Sequence, residues 1–165
     1  MGARILLGRV DPKFLKGLEL FAELDPGERA SIARLSQRVH VKEGETILRQ
    51  NQASEKLFLI VDGTVRVVDE DAATGEVLAV LTTGDTFGEF GLVDHKPPSA
   101  SVIAEEPTTL QVLRSADLLE LMSADRTLAN KLLWALCRTM VRRMRGLDLS
   151  LSHTRQMMNR FARGI

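Results

Sequence analysis

The chain carries one cysteine, Cys137, in 165 residues. A single thiol excludes an internal disulfide framework and a cysteine-rich zinc site. Net charge is also missing, because 22 basic side chains balance 22 acidic ones. A neutral chain makes no global electrostatic case for nucleic acid or an anionic membrane. No run of 18 or more apolar residues occurs, so no membrane-spanning helix is predicted. The opening Met1-Gly2-Ala3-Arg4-Ile5-Leu6-Leu7 is too short and too weakly apolar for a secretory signal, and Leu6 stands where a myristoylation motif wants Ser or Thr. A cytoplasmic protein is the expectation. Catalytic signatures are equally scarce. The three histidines, His40, His95 and His153, are scattered, with none at metal-ligand spacing from another. There is no Gly-x-Ser-x-Gly elbow, no P-loop and no dinucleotide fingerprint. The chain is therefore expected to be neither an enzyme nor a metal carrier.

What is present is an ordinary globular composition, 44% apolar and 27% charged, in a length that suits one domain with an extension. Residues 11–37 have helical spacing. Asp11-Pro12 is one start signal; Asp25-Pro26-Gly27-Glu28 is a second, with Asp25 as N-cap and Glu28 placed for a capping box. From residue 38 to 113 the period shortens. Strands are predicted near 57–61 and 64–68, with Asp62-Gly63 between them as a hairpin signal. Further strands are predicted over 77–81, entered through Thr74-Gly75, and over 99–104 and 108–113. Short strands broken by frequent turns imply a β-sandwich or barrel. The acidic run Asp69-Glu70-Asp71 reads as a solvated turn. Helices return after Ser115, a candidate N-cap, and again after Asp125. The fold class expected is α+β: residues 1–124 form a β-roll with flanking helices, and residues 125–165 form one long helix.

That last helix has a countable seam. Leu133, Cys137, Met140, Met144, Leu147, Leu151, Thr154, Met158 and Phe161 alternate spacings of four and three, the pattern of a coiled coil. At 1.5 Å per residue the helix would reach about 58 Å, longer than a domain of this size can cover. Its stripe therefore calls for a partner, and the same helix of a second copy is the simplest, giving a homodimer. Thr154 is the one polar seam residue and is expected to set register. Gly146 costs about 1 kcal/mol against alanine and marks a potential break in the helix. The arginines at 138, 142, 143, 145, 155, 160 and 163 lie mostly off the seam and read as a solvated face. Cys137, on the seam, reads as a small hydrophobe rather than a nucleophile.

Between β-rich runs lies Gly84-Asp85-Thr86-Phe87-Gly88-Glu89-Phe90-Gly91, followed by a polar loop through His95-Lys96-Pro97-Pro98 to Ser99-Ala100-Ser101-Val102. Its glycines allow tight bends and close approach of a ligand to backbone N–H groups. Upstream, Gln50-Asn51-Gln52-Ala53-Ser54-Glu55 leads into the Asp62-Gly63 strands. Together these stretches resemble the cyclic nucleotide-binding domain family over residues 13–163. The resemblance implies a β-roll, or jelly roll, holding a cyclic phosphate, with Glu89 on the ribose 2′-hydroxyl. Gly88, the backbone from Glu89 through Phe90 to Gly91, and then Ser99 and Ala100, would face the phosphate. Asn51 stands where the family has a glycine, and asparagine tolerates the left-handed backbone nearly as well.

Three departures qualify what the resemblance implies. Pro98 falls at the position of the family's phosphate-binding arginine. A charge-assisted bond contributes about 1.5–3 kcal/mol, so losing a bidentate pair costs on the order of a hundredfold to ten-thousandfold in affinity. Proline has no N–H to offer instead, and Lys96 supplies only a flexible, strongly hydrated charge. By an ungapped count, Leu147-Asp148 stands where bacterial activators carry the base-facing Thr-Ser pair. The chain given stops at Ile165, before any helix-turn-helix, which argues against DNA binding in the activators' manner. The reading is a regulatory homodimer with a degenerate pocket that works through a protein partner. The alternative is a working sensor of a cyclic nucleotide, cAMP or cGMP, or of cyclic di-GMP.

Overall fold

A computed structural model describes the backbone of residues 4–6, 10–71 and 76–162, and side chains within 10–71 and 76–145. The first strand, β1 (Arg4–Leu6), leads to helix α1 (Pro12–Lys16), a 3-10 turn at Glu19–Phe21 and helix α2 (Pro26–Leu35). Both proline-led starts form as expected. Asp11 accepts a hydrogen bond from the Lys13 amide, and Asp25 and Glu28 close a full capping box.

The strands follow: β2 (Gln37–Val41), β3 (Thr46–Leu48), β4 (Lys56–Asp62), β5 (Thr64–Asp69), β6 (Glu76–Thr82) and β7 (Thr86–Phe87). Helix α3 (Glu89–Asp94) interrupts them before β8 (Ser101–Ala104) and β9 (Thr108–Arg114). Helices α4 (Ser115–Ala124) and α5 (Arg126–Ala162) complete the chain. One sheet runs β1-β2-β9-β4-β7 and the other β3-β8-β5-β6. Every pairing described is antiparallel.

The hairpin expected at Asp62-Gly63 does not form. β4 pairs with β7 and β9, whereas β5 pairs with β6 and β8, so Gly63 carries the chain from one sheet to the other. Its φ of 103° suits glycine, and a Cβ there would lie 2.5 Å from Thr108 Oγ1. An Asp-Gly pair signals a sharp turn; which strands then pair depends on which apolar faces must be covered. β4 shows this directly. Leu57 and Leu59 face the helices, while Phe58 and Ile60 face the second sheet, so four consecutive apolar residues are all buried. Two cores result. One lies between the sheets, around Phe58, Ile60, Val65, Phe87, Val102 and Leu110. The other lies between the first sheet and the helices, around Leu15, Phe21, Ile32, Leu57, Leu113, Leu128 and Leu132.

Smaller differences also have local causes. The strand expected over 99–104 begins only at Ser101, leaving Ser99 and Ala100 in the loop. Ser115 is the first residue of α4 rather than its cap; Arg114 holds that place and pairs with Asp117. Asp125 does cap α5, accepting from the Thr127 and Leu128 amides. The acidic turn is not merely solvated. Gln50 donates to Asp69 and Asp71 and accepts from the Glu70 amide, and Ser101 donates to Glu70. The expected Thr74-Gly75 entry to β6 lies outside the described residues.

Helix α5 runs 37 residues without a break at Gly146, about 56 Å at 1.5 Å per residue. Its first half has two faces. Leu128, Leu132, Ala135, Leu136 and Thr139 are buried against the domain. Leu133, Trp134, Cys137, Val141 and Met144 are exposed, with Met140 half-buried. The expected seam positions 133, 137 and 144 thus stand bare on the single chain. The seam positions from Leu147 onward, through Leu151, Thr154, Met158 and Phe161, lie outside the described side chains, as does the Leu147-Asp148 pair.

Candidate functional site

The site begins with the backbone at Gly88. Its φ is 84°, and a Cβ there would fall 2.4 Å from the Lys56 carbonyl oxygen. Only glycine lets α3 start this close to β4. The tight start places Glu89, the first residue of α3, at 1% exposure. Asn51 adopts the left-handed conformation expected for it, with φ 61°. Its amide donates to the Pro98 carbonyl at 3.0 Å, which ties the upstream loop to the far end of the cassette.

These elements enclose a cavity of about 440 Å³. All seven expected site residues line it: Gly88, Glu89, Phe90, Gly91, Pro98, Ser99 and Ala100. Phe87 also contributes; its ring stacks on Phe58 at a centroid distance of 4.8 Å and joins the pocket to the core between the sheets. The opposite wall is apolar, built from Leu48, Val67, Leu81 and Val102. Val67 and Val102 are cross-strand partners. These positions were missed because the sequence shows their strands but not which strands face the cassette.

The electrostatics centre on Glu89. Its Oε1 accepts from Arg143 of α5, whose second guanidinium nitrogen donates to the Thr86 carbonyl. Glu89 Oε2 is buried and has no hydrogen-bond partner. Burial pushes the Glu89 pKa above the ordinary glutamate value, while the Arg143 charge and the residue's own amide pull it part of the way back. Lys96 is exposed at the rim, and Pro98 brings no charge.

Arg143 is the functional residue that sequence reasoning missed. Its position off the seam predicts a solvated face, yet it lines the pocket and reaches a buried carboxylate 54 residues away in sequence. A signal was present. Positions 128, 132, 135, 136 and 139 form a second apolar stripe at helical spacing, and residue 143 is its next step. Its neighbours are engaged as well. Arg138 pairs with Glu23 at 2.8 Å, Arg142 pairs with Glu19, and Lys131 meets the capping-box Glu28 at 2.8 Å. Arg155, Arg160 and Arg163 lie outside the described side chains.

No cluster of three or more His, Cys, Asp or Glu able to hold a metal occurs among the described residues. Within the same residues, no helix is long and apolar enough to cross a membrane.

Comparison with known proteins places this geometry. A family profile for the cyclic nucleotide-binding domain matches residues 38–125. The cyclic AMP receptor protein of Thermus thermophilus is 33% identical over 138 residues, which span 83% of this chain and 62% of that protein. A cAMP-dependent protein kinase regulatory subunit of Dictyostelium discoideum is 33% identical over 94 residues, 54% of this chain but only 29% of that protein. Among solved structures, a cyclic nucleotide-binding domain from Methylobacillus flagellatus superposes with a TM-score of 0.77 at 26% identity. That match covers 87% of this chain and 84% of the other. The catabolite activator protein of Thermus thermophilus matches with a TM-score of 0.70 at 32% identity, over 81% of this chain and 62% of that one. The matched part of the chain thus spans less than two thirds of the length of these curated relatives.

Proposed function

The chain belongs to the cyclic nucleotide-binding domain family, and from that premise we propose that it is a non-enzymatic regulatory module with a degenerate phosphate site. It acts as a homodimer and delivers its signal through a protein partner by way of α5. The observation that carries this reading is the Glu89–Arg143 pair. The carboxylate that the family offers to a sugar hydroxyl is held here by the chain's own helix. Pocket state and helix position are therefore linked: whatever draws Glu89 away from Arg143 loosens α5 at that turn. The bare stripe of Leu133, Cys137, Val141 and Met144 on the other side of the same helix supports the homodimer.

The residues present fit only half of a cyclic nucleotide. The unpartnered Glu89 Oε2 suits a sugar hydroxyl. The phosphate end has Pro98 where a fixed cation is wanted, and both terminal nitrogens of Arg143 are already engaged. A second reading, a working sensor of cAMP, cGMP or cyclic di-GMP, draws support from the 440 Å³ cavity and from relatives named for cyclic AMP.

Calorimetry of nucleotide-stripped protein separates the two. The expected result is no binding heat for the three nucleotides at millimolar concentration. Micromolar binding that disappears in Glu89→Ala would overturn the degenerate reading in favour of the sensor. A Pro98→Arg variant that gains cAMP binding would identify the missing charge as the defect.

A further inference from the structure

Resting on the reading of α5 as the element that meets a protein partner, we propose the chemistry of that partner. It is a carboxylate-bearing protein face that docks along a line of basic residues on the far half of α5. The line can be counted. At about 100° per residue, Lys131, Arg138, Arg142 and Arg145 fall within about 40° of one direction along the helix. By the same count along the backbone, His153 and Arg160 continue it. The positions expected on the dimer seam fall on the opposite side, so a homodimer leaves the line uncovered.

The charge of α5 is of one sign. Of the chain's 22 basic and 22 acidic side chains, α5 holds eight basic and one acidic, Asp148. A solvated helix face ordinarily interleaves the two signs, because like charges three and four residues apart destabilise the helix. Attraction of cations to a helix C-terminus reaches only the last turn and does not account for residues 131–145. Over the domain the opposite charges come from outside the helix. Lys131 meets Glu28 at 2.8 Å, Arg138 meets Glu23 at 2.8 Å, and Arg142 pairs with Glu19. These carboxylates stand four and five residues apart on one neighbouring segment, from the 3-10 turn into α2. Within one chain, the line already docks an acidic protein face.

Past Arg142 that supply ends. Arg145 is exposed and makes no ion pair among the described residues. The backbone runs on as helix to Ala162, about 26 Å beyond Arg145. A second molecule supplies the opposite charges there. Arginine suits carboxylates, since its planar fork donates two parallel bonds to one of them. A nucleic acid suits the molecule less. Outside α5 the chain carries 14 basic and 21 acidic side chains, which repel a polyanion long enough to pass the domain.

The test uses the full chain and two labelled helical peptides of one composition. One carries glutamates along a single face at steps of three and four residues; the other has the same residues scrambled. A duplex DNA is the third probe. Binding is read by fluorescence anisotropy near physiological ionic strength and again at about 0.5 M salt. We expect the one-faced peptide to saturate, at least tenfold tighter than the scrambled one, and to be released at the higher salt. Arg145→Glu combined with Arg160→Glu should weaken it at least tenfold. Arg126→Glu, the same charge change at an exposed site off the line, should leave it unchanged. Arg145→Gln, at an exposed position, should give a smaller loss and serves if the double variant does not fold. Equal binding of the two peptides, or an equal loss in Arg126→Glu, overturns the line as a docking surface. Binding that persists at the higher salt overturns its ionic basis. DNA that binds more tightly than the one-faced peptide, and is lost in the same variants, overturns the carboxylate partner in favour of a nucleic acid. Failure of the peptide without cAMP binding overturns the partner chemistry alone, whereas micromolar cAMP binding overturns the degenerate pocket and leaves the line standing.

Discussion

The two faces of α5 have similar apolar content and opposite fates. Leu128, Leu132, Ala135 and Leu136 are sealed into the core beneath the helices, whereas Leu133, Trp134, Val141 and Met144 stand in solvent, Trp134 at 62% and Met144 at 65% exposure. One helix thus carries two stripes, one satisfied by its own domain and one awaiting a surface. The inner stripe ends in Arg143, a charge in place of the next apolar residue, and that charge lands on Glu89. What the contrast teaches is that anchoring uses one side of a single rod and leaves the other side open. The inner side fixes where the helix sits relative to the pocket; the outer side is what another molecule would read.

The sharpest way to break this contrast is truncation on each face. Leu132, 1% exposed, should lose about 2–5 kcal/mol of unfolding free energy when cut to alanine. Trp134→Ala should cost under about 0.5 kcal/mol in the dissociated monomer, as exposed positions usually do. Urea unfolding at low protein concentration measures both, and comparable losses would abolish the distinction between the faces.

Next in size is the pair at the end of the inner stripe. Breaking a fully buried pair costs about 3–5 kcal/mol. The Arg143 side chain keeps 29% exposure, so we expect about 1–3 kcal/mol for Arg143→Met. Glu89→Gln should cost less, because it leaves no unpaired buried anion. An Arg143→Met variant as stable as the parent would show that the pair does not hold helix to pocket.

On the outer face, Met144→Asp should barely move monomer stability but should abolish the homodimer in sedimentation velocity. A dimer that survives it, along with oxidised Cys137 failing to cross-link two chains, would place the interface elsewhere.

The smallest effect is in pH. Burial raises the Glu89 pKa, so the folded chain binds this proton more tightly than the unfolded one. Its contribution to stability is fully present below the ordinary glutamate value and is lost as pH rises through the raised one. The thermal midpoint of the parent, relative to Glu89→Gln, should therefore be highest in acid. It should fall by on the order of a degree or two as pH climbs through that window. A difference independent of pH would mean that Glu89 is not desolvated.

Much of the fold was legible in the chain, for reasons that are local. The Asp25–Glu28 capping box, the Asp125 cap and the left-handed Asn51 each involve residues within a few positions of one another. The whole cassette set, from Gly88 to Ala100, came together around one cavity because a single short helix and loop carry it. The misses share a different cause. Asp62-Gly63 was read as a hairpin, and nothing near it in sequence says that β4 and β5 belong to separate sheets. Ser115 looked like a cap, but the backbone enters α4 one residue earlier.

By itself, then, the amino-acid sequence determined the main element types, the caps at Asp25 and Asp125, and the family. These rest on backbone geometry and on contacts between near neighbours. Only the tertiary structure decided that Gly63 crosses between sheets, that an apolar wall from β3, β5, β6 and β8 faces the cassette, and that Arg143 meets Glu89 across 54 residues. Such pairings form because buried faces and buried charges must find partners somewhere in the molecule. Spacing along the chain does not say where.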